Sequence, residues 1–263
     1  MTTPLAALLG VIQGLTEFLP ISSKTHLVVV PALLGSEPPT LAFITLLHLG
    51  TLVALVAYFA RDLLRLATDL PKAGSDGRRL VALLAVATIP AAVFGLIFEE
   101  TFERLLSHPR EAAFALIITA VVLVTAEWMA GTIGRRLARP LHAQPGMREA
   151  VGMGLAQAAA LFPGISRSGA TMSAGLALGL RRDAAARFSF LLAIPAVAGA
   201  NILEFPEVAS GGIGAPEVVG FAFSLVTGYA SVAVLLRYLR RWNFLPFAVY
   251  CALFAVIAGT ALS

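Results

Sequence analysis

The sequence predicts an all-α polytopic membrane protein built as an inverted-topology repeat, with six transmembrane helices and two re-entrant helical hairpins. Three observations lead to that class. First, 58% of the 263 residues are hydrophobic and only 13% are charged, where soluble domains carry about 25% charge, and the mean hydropathy is +0.86. A soluble protein of this size covers its surface with polar side chains, so most of this surface is solvated by lipid. Second, the apolar residues fall into runs long enough to cross a bilayer, which takes about 20 helical residues. Third, the two halves are weakly alike: at an offset of 144 residues Gly10, Gln13, Phe18, Ile21 and Ser22 align with Gly154, Gln157, Phe162, Ile165 and Ser166.

Taken in order, residues 1–40 hold two pieces, 4–19 and 26–35, too short or broken to cross alone. Spans follow at 41–60, 80–98 and 112–131, then two more broken pieces at 150–162 and 170–180, then spans at 186–204, 217–236 and 244–262. Arg61, Arg65, Lys72, Arg78 and Arg79 mark 61–79 as a cytoplasmic loop, and Arg135, Arg136, Arg139 and Arg148 do the same for 132–149. Arg181, Arg182 and Arg187, then Arg237, Arg240 and Arg241, mark two further cytoplasmic turns. Glu99, Glu100, Glu103 and Glu111 make 99–111 external, as is 205–216, which has Glu207 and no Lys or Arg.

The loops on either side of 150–180 therefore lie on one face, and that segment must enter the membrane and return. Residues 1–40 form the equivalent hairpin from the external face. Three spans separate the hairpins, and an odd number inverts the second repeat. The chain is thus a single membrane domain, 1–263, with repeat one over about 4–131 and repeat two over about 150–263. Inverted repeats with interrupted helices place a polar site near the midplane.

The net charge of +4 and the pI near 9.7 come from loop arginines. No basic face interleaved with aromatics occurs, so a nucleic-acid partner is not expected. The single cysteine, Cys251, excludes an internal disulfide. The first Lys or Arg is Lys24, so no basic leader is expected.

The chemistry concentrates in the hairpins. Gln13 and Glu17 are four apart and share a helix face, Pro20 ends that helix, and Ser22, Ser23, Lys24, Thr25 and His26 follow. In the second hairpin Pro163 and Gly164 break a helix, and Ser166 or Ser168 caps the next one beside Arg167, Gly169 and Thr171. Free N–H groups at a helix start and an adjacent guanidinium make an oxyanion or phosphate cradle. His48, in the first full span, reads equally as lining a cavity or as helix packing and is left out of the site, and Glu127 and Trp128 read as interfacial anchors.

Gln13-Gly14-Leu15-Thr16-Glu17-Phe18-Leu19-Pro20-Ile21-Ser22-Ser23 followed by His26, together with Pro163-Gly164-Ile165-Ser166-Arg167-Ser168-Gly169-Ala170-Thr171, resembles the two signatures of undecaprenyl-diphosphate phosphatases of the bacitracin-resistance type. Ala87-Thr88-Ile89-Pro90-Ala91 and Phe188-Ser189-Phe190-Leu191-Leu192-Ala193-Ile194-Pro195 extend the likeness through most of the chain. The resemblance implies a multi-pass enzyme of the bacterial inner membrane that hydrolyses a polyprenyl diphosphate to the monophosphate for cell-wall precursor recycling. It implies a divalent cation, Mg²⁺ or Ca²⁺, at Glu17; catalytic roles for Glu17, Ser23, His26 and Arg167; and substrate contacts from Gln13, Ser22, Lys24, Ser166, Ser168, Gly169 and Thr171. The partners expected are the lipid substrate and the bilayer, with a homodimer as a candidate assembly.

One departure stands out. Where the family has a small residue and a glycine before the histidine, this chain has Lys24 and Thr25. If that glycine serves a positive φ, Thr25 reshapes the tip, because a β-branched residue is disfavoured there. On this reading Arg167 and helix N–H groups hold the phosphate, His26 is the general acid or base, and the nucleophile is Ser23 or water. A transporter or flippase for a polyprenyl phosphate or other organic anion is the alternative, since it uses the same architecture.

Overall fold

The computed structural model describes residues 1–105, 108–136, 141–162 and 164–262, with side chains at all of these except 98–105, 132–136 and 210–211. Pro163 and Arg139 lie outside the described residues, as do the side chains of Glu99, Glu100, Glu103, Arg135 and Arg136. The described chain is helical: α1 (Thr3–Phe18), α2 (Ser23–Leu33), α3 (Leu41–Tyr58), α4 (Ala60–Asp69), α5 (Asp76–Leu105), α6 (Pro109–Arg136), α7 (Met147–Ala159), α8 (Arg167–Ala177), α9 (Arg182–Gly211), α10 (Ala215–Tyr238) and α11 (Leu245–Ala261). Among the described residues the β pairing is limited to one bridge between His142 and Leu180.

Helix ends follow local chemistry. Pro4 sits in the first turn of α1, and Pro20 lies just past its end. Thr40 caps α3 by accepting the Phe43 N–H at 3.3 Å. Glu149 and Glu217 reach back to the N–H groups of Gly146 and Gly214 at 2.8 and 2.9 Å, closing the starts of α7 and α10. Prolines lie within α5 (Pro90) and α9 (Pro195, Pro206), where each removes one backbone donor.

Five helices, α3, α5, α6, α9 and α10, are long and apolar enough to cross a membrane; α11, on the predicted span 244–262, is apolar and has 17 residues. The chain is a multi-pass membrane protein. Large side chains such as Ile202, Phe205, Val226, Val234 and Ile257 face outward, a surface suited to acyl chains rather than water. The loop expected at 61–79 instead carries α4. Leu63, Leu66, Ala67 and Leu70 recur at helical spacing there, a period that the charges obscure when only loops and spans are sought.

Two broken-helix pairs lie at the centre. Chain breaks at 19–22 and 160–166 separate α1 from α2 and α7 from α8. Helix α1 lies along α10, and α7 along α5. Gly10 and Gly154 permit these approaches: a Cβ on Gly10 would lie 2.4 Å from the Gly220 carbonyl oxygen, and one on Gly154 2.5 Å from that of Ala87. Near the breaks a core gathers Phe18 and Ile21 with Leu116, Leu123, Met172, Phe190, Leu235 and Cys251, drawn from six helices and one break. Glu127 is more than an interfacial anchor. It forms a two-pronged ion pair with Arg182, one contact at 2.8 Å, and accepts the Phe244 N–H at 2.8 Å, joining α6, α9 and the start of α11.

Gly10→Val and Gly154→Val are each expected to lower thermal stability in detergent, because the new side chain meets backbone. Overpacking of this kind costs about 1–3 kcal/mol, and a melting curve followed by size-exclusion of the intact protein measures it.

Candidate active site

The breaks bring their two tips into contact. Glu17, in the last turn of α1, is 8% exposed and gathers four groups. Its Oε2 accepts the Ser23 hydroxyl at 2.6 Å and the Gln13 amide at 3.1 Å, and lies 3.7 Å from His48 Nε2. Its Oε1 is paired with Arg167 Nη2 from the opposite hairpin. Ser23 and Arg167 are the first residues of α2 and α8, and they are equivalent at the 144-residue offset. Both tip helices thus begin at this carboxylate, with the positive ends of their dipoles toward it.

Two buried atoms here lack a partner among the described residues: Gln13 Oε1, an acceptor, and Arg167 Nη1, a donor. A buried unpaired polar atom is costly unless water or ligand completes it. At the start of α8 Ser166 Oγ accepts the Gly169 N–H at 3.1 Å, while the N–H groups of Arg167 and Ser168 take no hydrogen bond among the described residues. Ser168 donates to the Leu19 carbonyl at 3.0 Å, tying the second tip to the first. The arrangement can hold an anion between two helix starts and a guanidinium, next to a hydroxyl already bonded to a carboxylate.

The residues expected from sequence divide as follows. Gln13, Glu17, Ser23 and Arg167 meet; Ser22, Ser166, Ser168 and Gly169 frame them. Thr171 is turned away, accepting or donating to Ser189 at 2.6 Å and reaching the Arg167 carbonyl at 2.8 Å. Lys24 is exposed on the first turn of α2, close enough for its charge to act on His48. His26 faces α11: Nδ1 contacts the Ser22 carbonyl at 2.8 Å, Nε2 the Tyr250 hydroxyl at 2.8 Å, and the ring stacks on Phe254 at 4.5 Å. Both ring nitrogens are therefore engaged outside the Glu17 cluster.

Thr25 does not reshape the tip as expected. It lies inside α2, is fully buried and bonds Ser22 Oγ at 3.2 Å. The positive φ falls instead on Ser22, at 67°, the one non-glycine of that kind among the described residues. His48 was missed as a site residue. The signal was available, since an ionisable side chain within a membrane span is by default a functional candidate.

Each tip is also held by a helix of the other half. Thr119 of α6 donates to the Gly164 carbonyl at 2.5 Å and accepts the Ser166 N–H at 2.9 Å. In α11, Cys251 Sγ lies 3.8 Å from the Pro20 carbonyl, and Tyr250 reaches the Ser22 carbonyl through His26. No sequence pattern marks Thr119 or Tyr250, because only tertiary packing brings them to the tips.

Fold and site together define a multi-pass membrane protein with a buried polar centre made by two helix breaks. The profile of the family described as Bacitracin resistance protein BacA matches residues 6–257, and the chain belongs to that family. Among its relatives, a protein of Rubrobacter xylanophilus named undecaprenyl-diphosphatase is 44% identical over 98% of this chain and 97% of its own length. Proteins of the same name from Geobacter sulfurreducens and Methanosphaera stadtmanae are 45% and 38% identical, over 98% and 96% of this chain and 96% and 95% of their own.

Removing one partner of a buried ion pair costs about 3–5 kcal/mol. Arg167→Gln is therefore expected to melt well below the parent protein in detergent, and addition of Glu17→Gln to recover much of the loss, which a double-mutant cycle on the two melting curves checks.

Proposed function

We propose that the protein hydrolyses undecaprenyl diphosphate to undecaprenyl phosphate and inorganic phosphate, as an enzyme of the bacterial inner membrane that recycles the lipid carrier of cell-wall synthesis. The observation that carries this reading is the Glu17 cluster: a serine hydroxyl on a carboxylate, beside an arginine with one buried nitrogen unpaired. The names of the relatives point the same way. A transporter or flippase needs the anion cradle but has no use for the Ser23–Glu17 pair.

In the proposed reaction the terminal phosphate lies against Arg167 Nη1 and the free N–H groups at the start of α8, with Ser22, Ser166, Ser168 and Gly169 shaping the cradle. Lys24 meets the diphosphate from the rim. Ser23 Oγ attacks the terminal phosphorus, its proton passes to Glu17, and the bridging oxygen leaves with the lipid monophosphate. Water then cleaves the phosphoserine, releasing phosphate and restoring the hydroxyl. Phosphoryl transfer asks the protein mainly for positioning and charge stabilisation, which these groups supply. The expectation that His26 exchanges protons with substrate is not supported by its surroundings, since each ring nitrogen already has a partner.

A divalent cation fits the donor set. The unpaired Gln13 Oε1 and the Glu17 carboxylate are hard oxygen donors, and Mg²⁺ or Ca²⁺ commonly completes its shell from phosphate and water. Among the described residues no three His, Cys, Asp or Glu side chains gather for a metal, so the ion would be held by Glu17 and Gln13 together with the diphosphate. When bound it would neutralise charge on the phosphate oxygens.

The inverted repeat belongs to the same proposal. The packing of α1 on α10 mirrors that of α7 on α5, α6 faces α11, and α3 faces α9. The close-approach glycines Gly10 and Gly154, and the braced carbonyls Pro20 and Gly164, fall at the 144-residue offset. These correspondences support two hairpins inserted from opposite faces.

Purified protein is expected to release phosphate from undecaprenyl diphosphate, and to lose that activity on EDTA treatment and regain it with Mg²⁺ or Ca²⁺. Arg167→Ala should cost at least ~3 kcal/mol of transition-state stabilisation, more than 100-fold in kcat/KM; near-normal turnover would defeat the assignment. Rapid acid quench should trap phosphate on Ser23, and burst-free kinetics without a phosphoenzyme would shift the attack to water.

A further inference from the structure

We propose that Thr119 and Tyr250 are positioning residues of the active site, each fixing the hairpin tip of the other half through backbone carbonyls. The proposal rests on the hydrolase reading and assigns a source to the tip geometry that the reading requires.

At the first tip, a carbonyl oxygen only accepts, so His26 Nδ1 carries the proton that it shares with Ser22 O, and Nε2 is the acceptor for the Tyr250 hydroxyl. The order is Tyr250 O–H to His26, then His26 N–H to Ser22 C=O. Ser22 is where the chain takes its left-handed turn, φ 67°, a conformation unfavourable for a non-glycine residue that persists where surroundings over-determine it. The next residue is Ser23, whose hydroxyl is aimed at Glu17 by that turn. His26, Tyr250 and Phe254 form one triangular cluster, with ring centroids 5.7, 4.5 and 5.8 Å apart, so the imidazole is fixed in plane as well as in tautomer.

At the second tip the same task falls to one hydroxyl. Thr119 donates to Gly164 C=O and accepts the Ser166 N–H. Ser166 then caps α8 and donates to Ser168, so the side chain of Thr119 sets where the free N–H groups and Arg167 begin. A Cβ on Gly164 would lie 2.1 Å from Ala115 Cβ, which keeps this tip pressed against α6. Ser22 and Ser166 are equivalent at the 144-residue offset. One brace thus orients the nucleophile, and the other orients the phosphate cradle.

The two functions separate kinetically. Tyr250→Phe keeps the ring and removes the hydroxyl, and it should lower kcat about 10- to 100-fold with KM nearly unchanged, the scale expected for a misplaced reacting group. Thr119→Val keeps the shape and should raise KM and the inhibition constant of inorganic phosphate about tenfold or more, while Thr119→Ser restores both. Melting temperatures in detergent accompany each variant. Parent-like kcat and KM in both variants would overturn the proposal, and so would a parallel loss of kcat, KM and melting temperature with no split and no rescue by serine. Arg167→Ala run in the same assay separates the two levels: an inactive Arg167→Ala beside two unaffected variants sinks the braces alone, and an active one sinks the hydrolase site with them.

Discussion

The contact between Glu17 and Arg167 is the constraint on which the rest depends. A carboxylate and a guanidinium are each expensive in a protein solvated by lipid, and they become tolerable when paired and hydrogen-bonded. Here the partners come from different hairpins, one in each half of the chain. Neither hairpin is complete without the other, so assembly of the fold and formation of the site are one event. The core around Phe18, Ile21, Met172 and Phe190 lies beside the junction.

Helix breaks convert this junction into a binding site. An unbroken α1–α2 would bond all its interior N–H groups to its own carbonyls, leaving nothing for a ligand. By stopping at Phe18 and restarting at Ser23, the chain exposes donors at depth, and α7 and α8 do the same around Gly164. The cost of those breaks is offset by side chains that satisfy the tip carbonyls: Ser168 on Leu19, Thr119 on Gly164 and His26 on Ser22. Gln13 Oε1 on α1 is left as an acceptor, and what remains at the start of α8, the N–H groups of Arg167 and Ser168 and the orphaned Nη1, is all donors. An anion is the complement of that remainder.

The apolar spans and the broken pieces at 1–40 and 150–180 were legible in the sequence because lipid solvation writes itself as composition and length. The meeting of Glu17 with Arg167 was legible too, through charge placement in the loops. What escaped was set by tertiary neighbours. His26 lies three residues from Ser23, and its partners Tyr250 and Phe254 come from α11, far away in the chain. His48 reads equally as packing because its sequence neighbours are apolar, and only the crossing of α3 behind Glu17 makes it part of the cluster. Thr25 looked like a clash with a glycine position, yet the left-handed turn is made three residues earlier at Ser22.

Charge balance gives the site its remaining logic. The Glu17–Arg167 pair is neutral as it stands, while a lipid diphosphate brings about one negative charge on its inner phosphate and between one and two on its terminal one. The two helix starts return about half a charge each, which leaves the loaded site negative. In the proposed reaction the compensation has to come from a cation that arrives with the substrate or from Lys24 at the rim. The ion pair keeps the empty site neutral, so the charge a substrate adds falls on the groups left unpaired, Arg167 Nη1 and the helix N–H groups, while Glu17 stays on Ser23, Gln13 and His48 and holds the serine where the phosphorus would arrive in the proposed reaction.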